Sequence, residues 1–468
     1  MFIGRKEELE SIKTRLDSNG YELGIIYGQR RIGKTSIILE AIKDYSHLYF
    51  LARDASYRNN LDYFTTQYSK YLKTPFTPFF DTFDALFDSI LEQVSKQKTV
   101  IVIDELPFLA KNYPGVISYL QGFCDEIKRN GLDIKIILSG SDMSFMVDLL
   151  ENKAKPLYQR STFKIHVKPM VFSDAVEMLK GLSNLDIIKY LSIFGNRPYY
   201  LDKINKSLSF EENIINLCFN KSSILLDAPN ITLPLGYTTN SIFVSILIAI
   251  SQRRKRVKDI ADELRIENNA LATYLLRMME GTAIEKRSMF NGNRKTNYYE
   301  ITDPFMRFYY RIIYPNQSEI ENGLGYSIYK ETKDDVEDII NHSFEDVVIS
   351  YLNEQNQLLL LPEPFHQFQK YVVDNSSLGR SIDIDALADS LNGKTLLVVE
   401  AKFRNRSLSM KVLEHLKESA SIFSKYQNIY YYLFSKSSFS DDLLKLDDSR
   451  VKLITIDTMC SKQWYDNI

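Results

Sequence analysis

The chain has 468 residues and a formal net charge of −2, and at roughly 100–200 residues per domain it should hold three or four cores. Hydrophobic residues at 44% and charged ones at 25% are the composition of a soluble globular protein. The nearest approach to a membrane span, "IFVSILIAI" at 242–250, is far shorter than the roughly 18–20 residues required, and a near-neutral chain needs a local basic patch to attract nucleic acid.

The amino terminus, "MFIGRKEELE", is acidic from Glu7 and has no apolar stretch, so it does not read as a secretory signal. Cys124, Cys218 and Cys460 are scattered. That spacing argues against a disulfide framework or a zinc site and for a reducing compartment, the cytoplasm by default.

"YELGIIYG" predicts a buried strand ending at Gly28, and "KTSIILEAIKDY" a helix with Ile37, Ile38 and Ala41 inward. The loop between them, Gly28-Gln29-Arg30-Arg31-Ile32-Gly33-Lys34-Thr35-Ser36, fits the pattern G-x-x-x-x-G-K-[ST]. Glycine at both ends lets the backbone wrap a phosphate with its N–H groups inward, while Lys34 reaches the outer phosphates and Thr35 holds Mg²⁺. The side chains of Arg30 and Arg31 read as facing solvent.

"HLYFLA" at 47–52 predicts a second strand. "KQKTVIVIDELPFL" predicts a third that delivers Asp104 and Glu105 at its carboxyl end. Asp104 is expected to hold Mg²⁺ through water, and Glu105 to polarise the water that attacks the nucleotide. A fourth strand, "IKIILSGS", ends at Ser139 and Ser141, either of which is placed to hydrogen-bond the γ-phosphate or that water. Strands alternating with helices predict an α/β fold, with a parallel sheet and a ligand beyond its carboxyl edge.

Taken in order, "FIGRKEEL", "GQRRIGKT", "VIDELPFL", "ILSGSDMS", "PLYQRSTFKIHVKPM" and "GNRPYYL" resemble the prokaryotic ATPases called archaeal-type, in the STAND and AAA+ group of P-loop proteins. The resemblance implies a nucleotide-binding core that uses ATP and Mg²⁺, followed by a helical lid with a G-x-P-like element. Gly195 and Pro198 occupy that element, and Asn196 stands where the family commonly has a second glycine. Arg160 matches an arginine that completes the site either in cis or from a neighbouring subunit, so a homo-oligomer or a protein partner belongs among the expectations.

From 240 to 303 the pattern changes. "RVKDIADEL" places Val257, Ile260, Ala261 and Leu264 on one helix face, and "ALATYLLRMMEG" does the same with Leu271, Leu275 and Met278. Two strands around Asn291-Gly292 follow, which together make a winged helix. Between Arg253 and Tyr299 eleven Lys and Arg outnumber six Asp and Glu, as a nucleic-acid face requires. Candidate DNA contacts are Arg253, Arg254, Thr273, Arg277, Arg294 and Lys295, with a protein-docking or purely structural module as the alternative.

"YPNQSEIENGLGYS" at 314–327 reads as a polar linker. Beyond it, "SFEDVVISYLNEQ" predicts a helix carrying Glu345 near its amino end. "RSIDIDALADSLNGKTLLVVEAKFRN" predicts a hairpin turning at Asn392-Gly393, with Asp385 opposite Glu400 and Asp383 opposite Lys402. Carboxylates and a lysine on one face of an apolar hairpin are costly unless they hold a metal or pair with each other. The layout resembles the PD-(D/E)XK nuclease core, which implies Mg²⁺ on Asp383 and Glu400, with Glu345 adding to the site, Asp385 as the rival acid, and Lys402 orienting water.

The expected organisation is therefore α/β and multidomain. It comprises a P-loop ATPase core (1–165), a helical lid (166–235), a winged helix (236–313), a linker (314–335) and a restriction-endonuclease-like domain (336–468). The leading reading is an ATPase that engages, and through its last domain cuts, DNA. Its rivals are a nucleotide-gated switch whose last domain only docks a partner, and a transcription regulator.

Overall fold

The computed structural model describes residues 2–94, 98–233, 236–252, 255–287, 290, 297–373, 379 and 381–461. They divide into two compact units, Met1–Pro169 with Glu280–Thr282, and Met170–Met279 with Ala283–Ile468.

Five parallel strands build the first unit: β1 (Glu22–Tyr27), β2 (His47–Leu51), β3 (Thr99–Asp104), β4 (Ile134–Gly140) and β5 (Phe163–His166), in the order β2-β3-β4-β1-β5. β3 and β4 are buried along their whole length and β1 up to its last residue, which is what continuous apolar runs between helix-covered faces give. Because β4 lies between β1 and β3, the loop after β1 and the acids after β3 flank its end at one edge of the sheet.

The second unit contains helices Ser241–Gln252 and Val257–Leu264 and, up to Met279, helix Asn268–Glu280, then an antiparallel hairpin of β6 (Ile284–Arg287) and β7 (Tyr298–Ile301), with Lys255 bridged to Tyr299. That is the element order of a winged helix. Residues 314–331, expected as part of a linker, are instead helical and packed, with Ile320, Ile328 and Tyr329 buried. Gly325, which reads as a flexible position, permits a close approach: an added Cβ would meet the Phe219 carbonyl oxygen at 1.7 Å.

A mixed sheet closes the unit: β8 (Gln369–Val373), β9 (Ile382–Asp389), β10 (Thr395–Lys402), β11 (Asn428–Ser435) and β12 (Val451–Thr455), ordered β12-β11-β10-β9-β8. β8, β9 and β10 pair antiparallel, and β10, β11 and β12 parallel. Helix Lys333–Gln357 shares an apolar cluster with Ala386, Leu397 and Val399, and helix Met410–Ala420 shares another with Ile384, Leu387 and Val398. Phe290, between the two hairpin strands in sequence, belongs to the second cluster and meets Phe423 edge-on at 5.8 Å. Among the described residues no helix is long and apolar enough to cross a membrane.

Candidate functional site

β1 delivers the chain to Gly28, where an added Cβ would meet the Val167 carbonyl oxygen at 2.3 Å, so only glycine passes. Gly33, at φ 95°, turns the chain into helix Lys34–Ile42. Between them Ile32 anchors the loop in the core, Gln29 and Arg30 are half-buried, and Arg31 is exposed. The Arg30 guanidinium lies 6.0 Å from the Phe108 ring centre. Lys34 is buried, and its Nζ donates to the carbonyls of Gly28 and Gln29 at 2.9 Å each, which holds the amine over the loop. Burial lowers its pKa against the opposing pull of Glu105 and Asp104. Thr35 Oγ1 donates to Asp104 Oδ2 at 2.7 Å, and Ser36 is exposed on the same helical turn.

Asp104 gathers donors from both neighbouring strands. Tyr49 of β2 reaches Oδ2 at 2.7 Å, while Ser139 of β4 and the Glu105 N–H reach Oδ1. Ser139 is fully buried, so its hydroxyl serves the sheet-end acid and not the γ-phosphate or attacking water expected for it. Ser141 instead holds the other acid, donating to Glu105 Oε2 through its N–H at 3.1 Å and Oγ at 2.8 Å. Glu105 sits at φ 55° before helix Leu106–Asn112, a conformation that costs a non-glycine residue about 1–2 kcal/mol.

Arg160 is not at this edge. It precedes β5, which runs parallel to β1 with Phe163 beside Gly24, so it lies at the amino edge, a strand's length of about 20 Å away. Its guanidinium is bidentate to Asp125 at 3.1 and 3.2 Å. Completion of the site in cis is excluded by that topology. Pro198 opens helix Pro198–Leu201 in the second unit. Beside it, Asn196 Nδ2 bonds the Met170 carbonyl at 3.0 Å and Ser350 Oγ at 2.8 Å, so the asparagine in the glycine position ties this turn to helix Lys333–Gln357. Arg197 pairs with Asp303 at 3.3 Å in nearly complete burial.

In the carboxyl-terminal sheet, Asp385, Glu400 and Lys402 converge. Lys402 Nζ lies 2.7 Å from Glu400 Oε1 and 3.1 Å from Asp385 Oδ2, which also accepts the Ala401 N–H at 2.7 Å. The β9–β10 ladder keeps the expected register, pairing Leu396 with Asp389 and Val399 with Ala386. Asp383, the acid expected at the site, is instead exposed and stands opposite Val372 of β8. Pairing shifts from Tyr371–Ile384 to Gln369–Leu387, which puts an extra residue in β9 beside Asp385.

Glu345 is held 2.9 Å from Lys370, which also meets Asp346 at 2.8 Å. Burial, and then Glu345 and Glu400, push Asp385 well above the usual carboxylate range. Burial alone would lower Lys402, but Asp385 and Glu400 push it up. Among the described residues no three His, Cys, Asp or Glu side chains group as a metal site requires. The expected set, Asp383 and Glu400 with Glu345 added and Asp385 as the rival acid, is therefore not assembled among the described residues: Lys402 stands between Asp385 and Glu400, and Glu345 pairs with Lys370.

Residues 2–204 match a family described as an ATPase domain predominantly from Archaea, and 309–416 match a family described as archaeal and bacterial proteins of unknown function. Over 408 residues the chain is 30% identical to the uncharacterized protein MJECL04 of Methanocaldococcus jannaschii, covering 86% of this chain and 88% of that one. The chain belongs to this family of archaeal-type ATPases. The same organism's uncharacterized ATP-binding protein MJ0423 is 43% identical over 44 residues, 9% of this chain and 75% of its own. The Walker-type ATPase PABY2304 of Pyrococcus abyssi superimposes with a TM-score of 0.52 over 66% of this chain and 96% of that one. At 18% identity this shows a shared fold.

In this archaeal-type ATPase, Thr273 and Arg277 are exposed on helix Asn268–Glu280, whereas Arg253, Arg254, Arg294, Lys295 and the Asn291-Gly292 turn lie outside the described residues. Part of the local positive excess is neutralised, since Arg287 meets Glu285 at 2.6 Å and Glu300 at 2.5 Å, and Lys255 pairs with Glu263. Sequence reasoning missed Tyr49 and Lys370. The signal for Lys370 was a lysine inside the short apolar run "FQKYVV". For Tyr49 it was its place in a strand whose Leu51 pairs with Asp104.

Proposed function

We propose that this ATPase binds ATP with Mg²⁺ at the Gly28–Ser36 loop and hydrolyses it. The observation that carries the reading is the Thr35 hydroxyl on Asp104, at the edge where Lys34 is held over the loop carbonyls. Hydroxyl and carboxylate oxygens are the hard donors that suit Mg²⁺. Thr35 and Asp104 would hold the ion, which supplies charge compensation to the phosphates. Lys34 exchanges the loop carbonyls for the outer phosphate oxygens. Glu105, with one oxygen fixed by Ser141, orients the attacking water and takes its proton. Glu105→Gln is expected to keep nucleotide binding and slow phosphate release by about 100-fold, and an unchanged rate would reassign the water-orienting role.

A second reading, DNA engagement, is favoured by the exposed Thr273 and Arg277 on the second helix of the winged-helix order. Duplex affinity should fall steeply with salt, with a shallower slope in Arg277→Ala. Absence of binding at low salt would pass the role to the nucleotide-gated switch that docks a protein partner. The lysine-bridged Asp385–Glu400 pair does not fit the divalent site expected of a nuclease, so no cleavage step is derived. With ATP and Mg²⁺ or Mn²⁺ we expect single-stranded, duplex and branched DNA to remain uncut, and cutting abolished by Glu400→Ala would reinstate the nuclease reading.

A further inference from the structure

Asp104 is fully buried and its carboxylate accepts four hydrogen bonds: Thr35 Oγ1 and Tyr49 OH on Oδ2, the Glu105 N–H and Ser139 Oγ on Oδ1. An ionised carboxylate offers about four lone-pair sites. The set is complete, so any added donor, such as a hydrogen on a water carried by a cation, must replace one of the four. Three of them are poorly suited to leave. The Glu105 N–H is fixed by the turn into helix Leu106–Asn112, and Ser139 is fully buried inside β4. Thr35, by giving its proton to Asp104, turns its own lone pairs outward, as a cation ligand requires.

Tyr49 remains. It reaches Asp104 from β2, two residues before Leu51, which pairs with Asp104 in the ladder. It is half-buried, so its hydroxyl can retire toward solvent while its ring stays packed. Facing a carboxylate oxygen at 2.7 Å, its phenol O–H is the donor of the pair.

We infer that Tyr49 is a positioning residue of the phosphate site. Its hydroxyl occupies on Asp104 Oδ2 the place that a donor on the cation's water takes, and it thereby sets how much divalent cation the site requires. This rests on the nucleotide-hydrolysis reading and adds a control on its metal demand. Tyr49 acts through Asp104.

The test compares thermal stabilisation of the full chain by ADP across a Mg²⁺ titration, with EDTA as the zero point, in the wild type, Tyr49→Phe and Ser139→Ala. Tyr49→Phe is expected to melt lower without nucleotide, yet to gain more from Mg²⁺·ADP, with the half-saturating Mg²⁺ concentration falling by about threefold or more. Ser139→Ala removes a donor from the same carboxylate at a fully buried position and should lower the melting temperature without lowering the Mg²⁺ requirement. A Tyr49→Phe chain that melts lower but titrates like the wild type has lost only a structural contact, which overturns the inference, as does a raised Mg²⁺ requirement. Should Tyr49→Phe fail to fold, Tyr49→Met keeps the bulk, and the same comparison decides. A wild type that gains nothing from Mg²⁺·ADP would overturn the nucleotide reading itself, an outcome distinct from a wild-type gain that Tyr49→Phe leaves unchanged.

Discussion

Asp104 and Asp385 are both buried acids of a sheet, and the chain satisfies them in opposite ways. Asp104 is surrounded by three hydroxyls and a backbone N–H, donors that hold a carboxylate without cancelling its charge. Asp385 shares the Lys402 ammonium with Glu400, so the negative charge of this cluster is compensated from inside the protein. Counting acids would rank the carboxyl-terminal cluster higher, because it draws on Glu345, Asp385 and Glu400. The kind of donor reverses that order. Neutral donors leave a field that attracts a cation, whereas lysines among acids close the account internally.

The comparison is broken most directly by exchanging the roles of its two lysines. Lys34→Ala should cut ATP turnover by about 100-fold or more, with the melting temperature little changed. Lys402→Ala should spare turnover and instead lower stability by about 3 kcal/mol, because it leaves two acids buried without their cation. Phosphate release and urea unfolding measured on both variants would separate these outcomes, and a loss of turnover in Lys402→Ala would mean that the two regions are not chemically independent. Phe290→Ala should be nearly as destabilising, by about 3 kcal/mol in urea unfolding, if its ring is seated against Phe423 as described; a change below about 0.5 kcal/mol would remove that anchor.

The smallest effect follows pH. The folded-state pKa of Asp385 is raised, so the folded chain retains that proton above the unfolded value of about 3.9. Stability from this group is therefore present at low pH and is lost as pH rises through the folded value. Asp385→Asn abolishes the titration, so the stability of the variant relative to the wild type should improve as pH rises from about 4 through the folded value. A difference that stays constant across that interval would show that burial does not govern this acid.

The nucleotide loop was legible because its chemistry lies in one uninterrupted stretch, where Gly28 and Gly33 are required by backbone geometry and Lys34 and Thr35 follow directly. The register of β9 and β10 was legible for a similar reason, since a short turn fixes it. The choice between Asp383 and Asp385 was not. It depends on an extra residue in β9 opposite β8, and no local pattern announces a bulge contributed by pairing with a third strand. The 314–335 linker was misread because Gly325 signals flexibility in one dimension and close helix approach in three. Arg160 illustrates the same limit: its spacing after "PLYQ" says nothing about the edge of the sheet it occupies, which is set by the parallel pairing of β5 with β1.

Phe290 lies between two strands of a hairpin, yet its ring is buried among Ile382, Ile384 and Phe423, with Tyr371 meeting Phe423 at 5.1 Å. Severing the chain between the hairpin and the sheet would leave that ring in water and strip a cover from the two aromatics beneath. The two segments are thus poor candidates for independent shuffling. A recombination event that replaced one of them would have to restore a matching aromatic contact in the other, so the pair should be inherited together, and its history should read as that of a single heritable block.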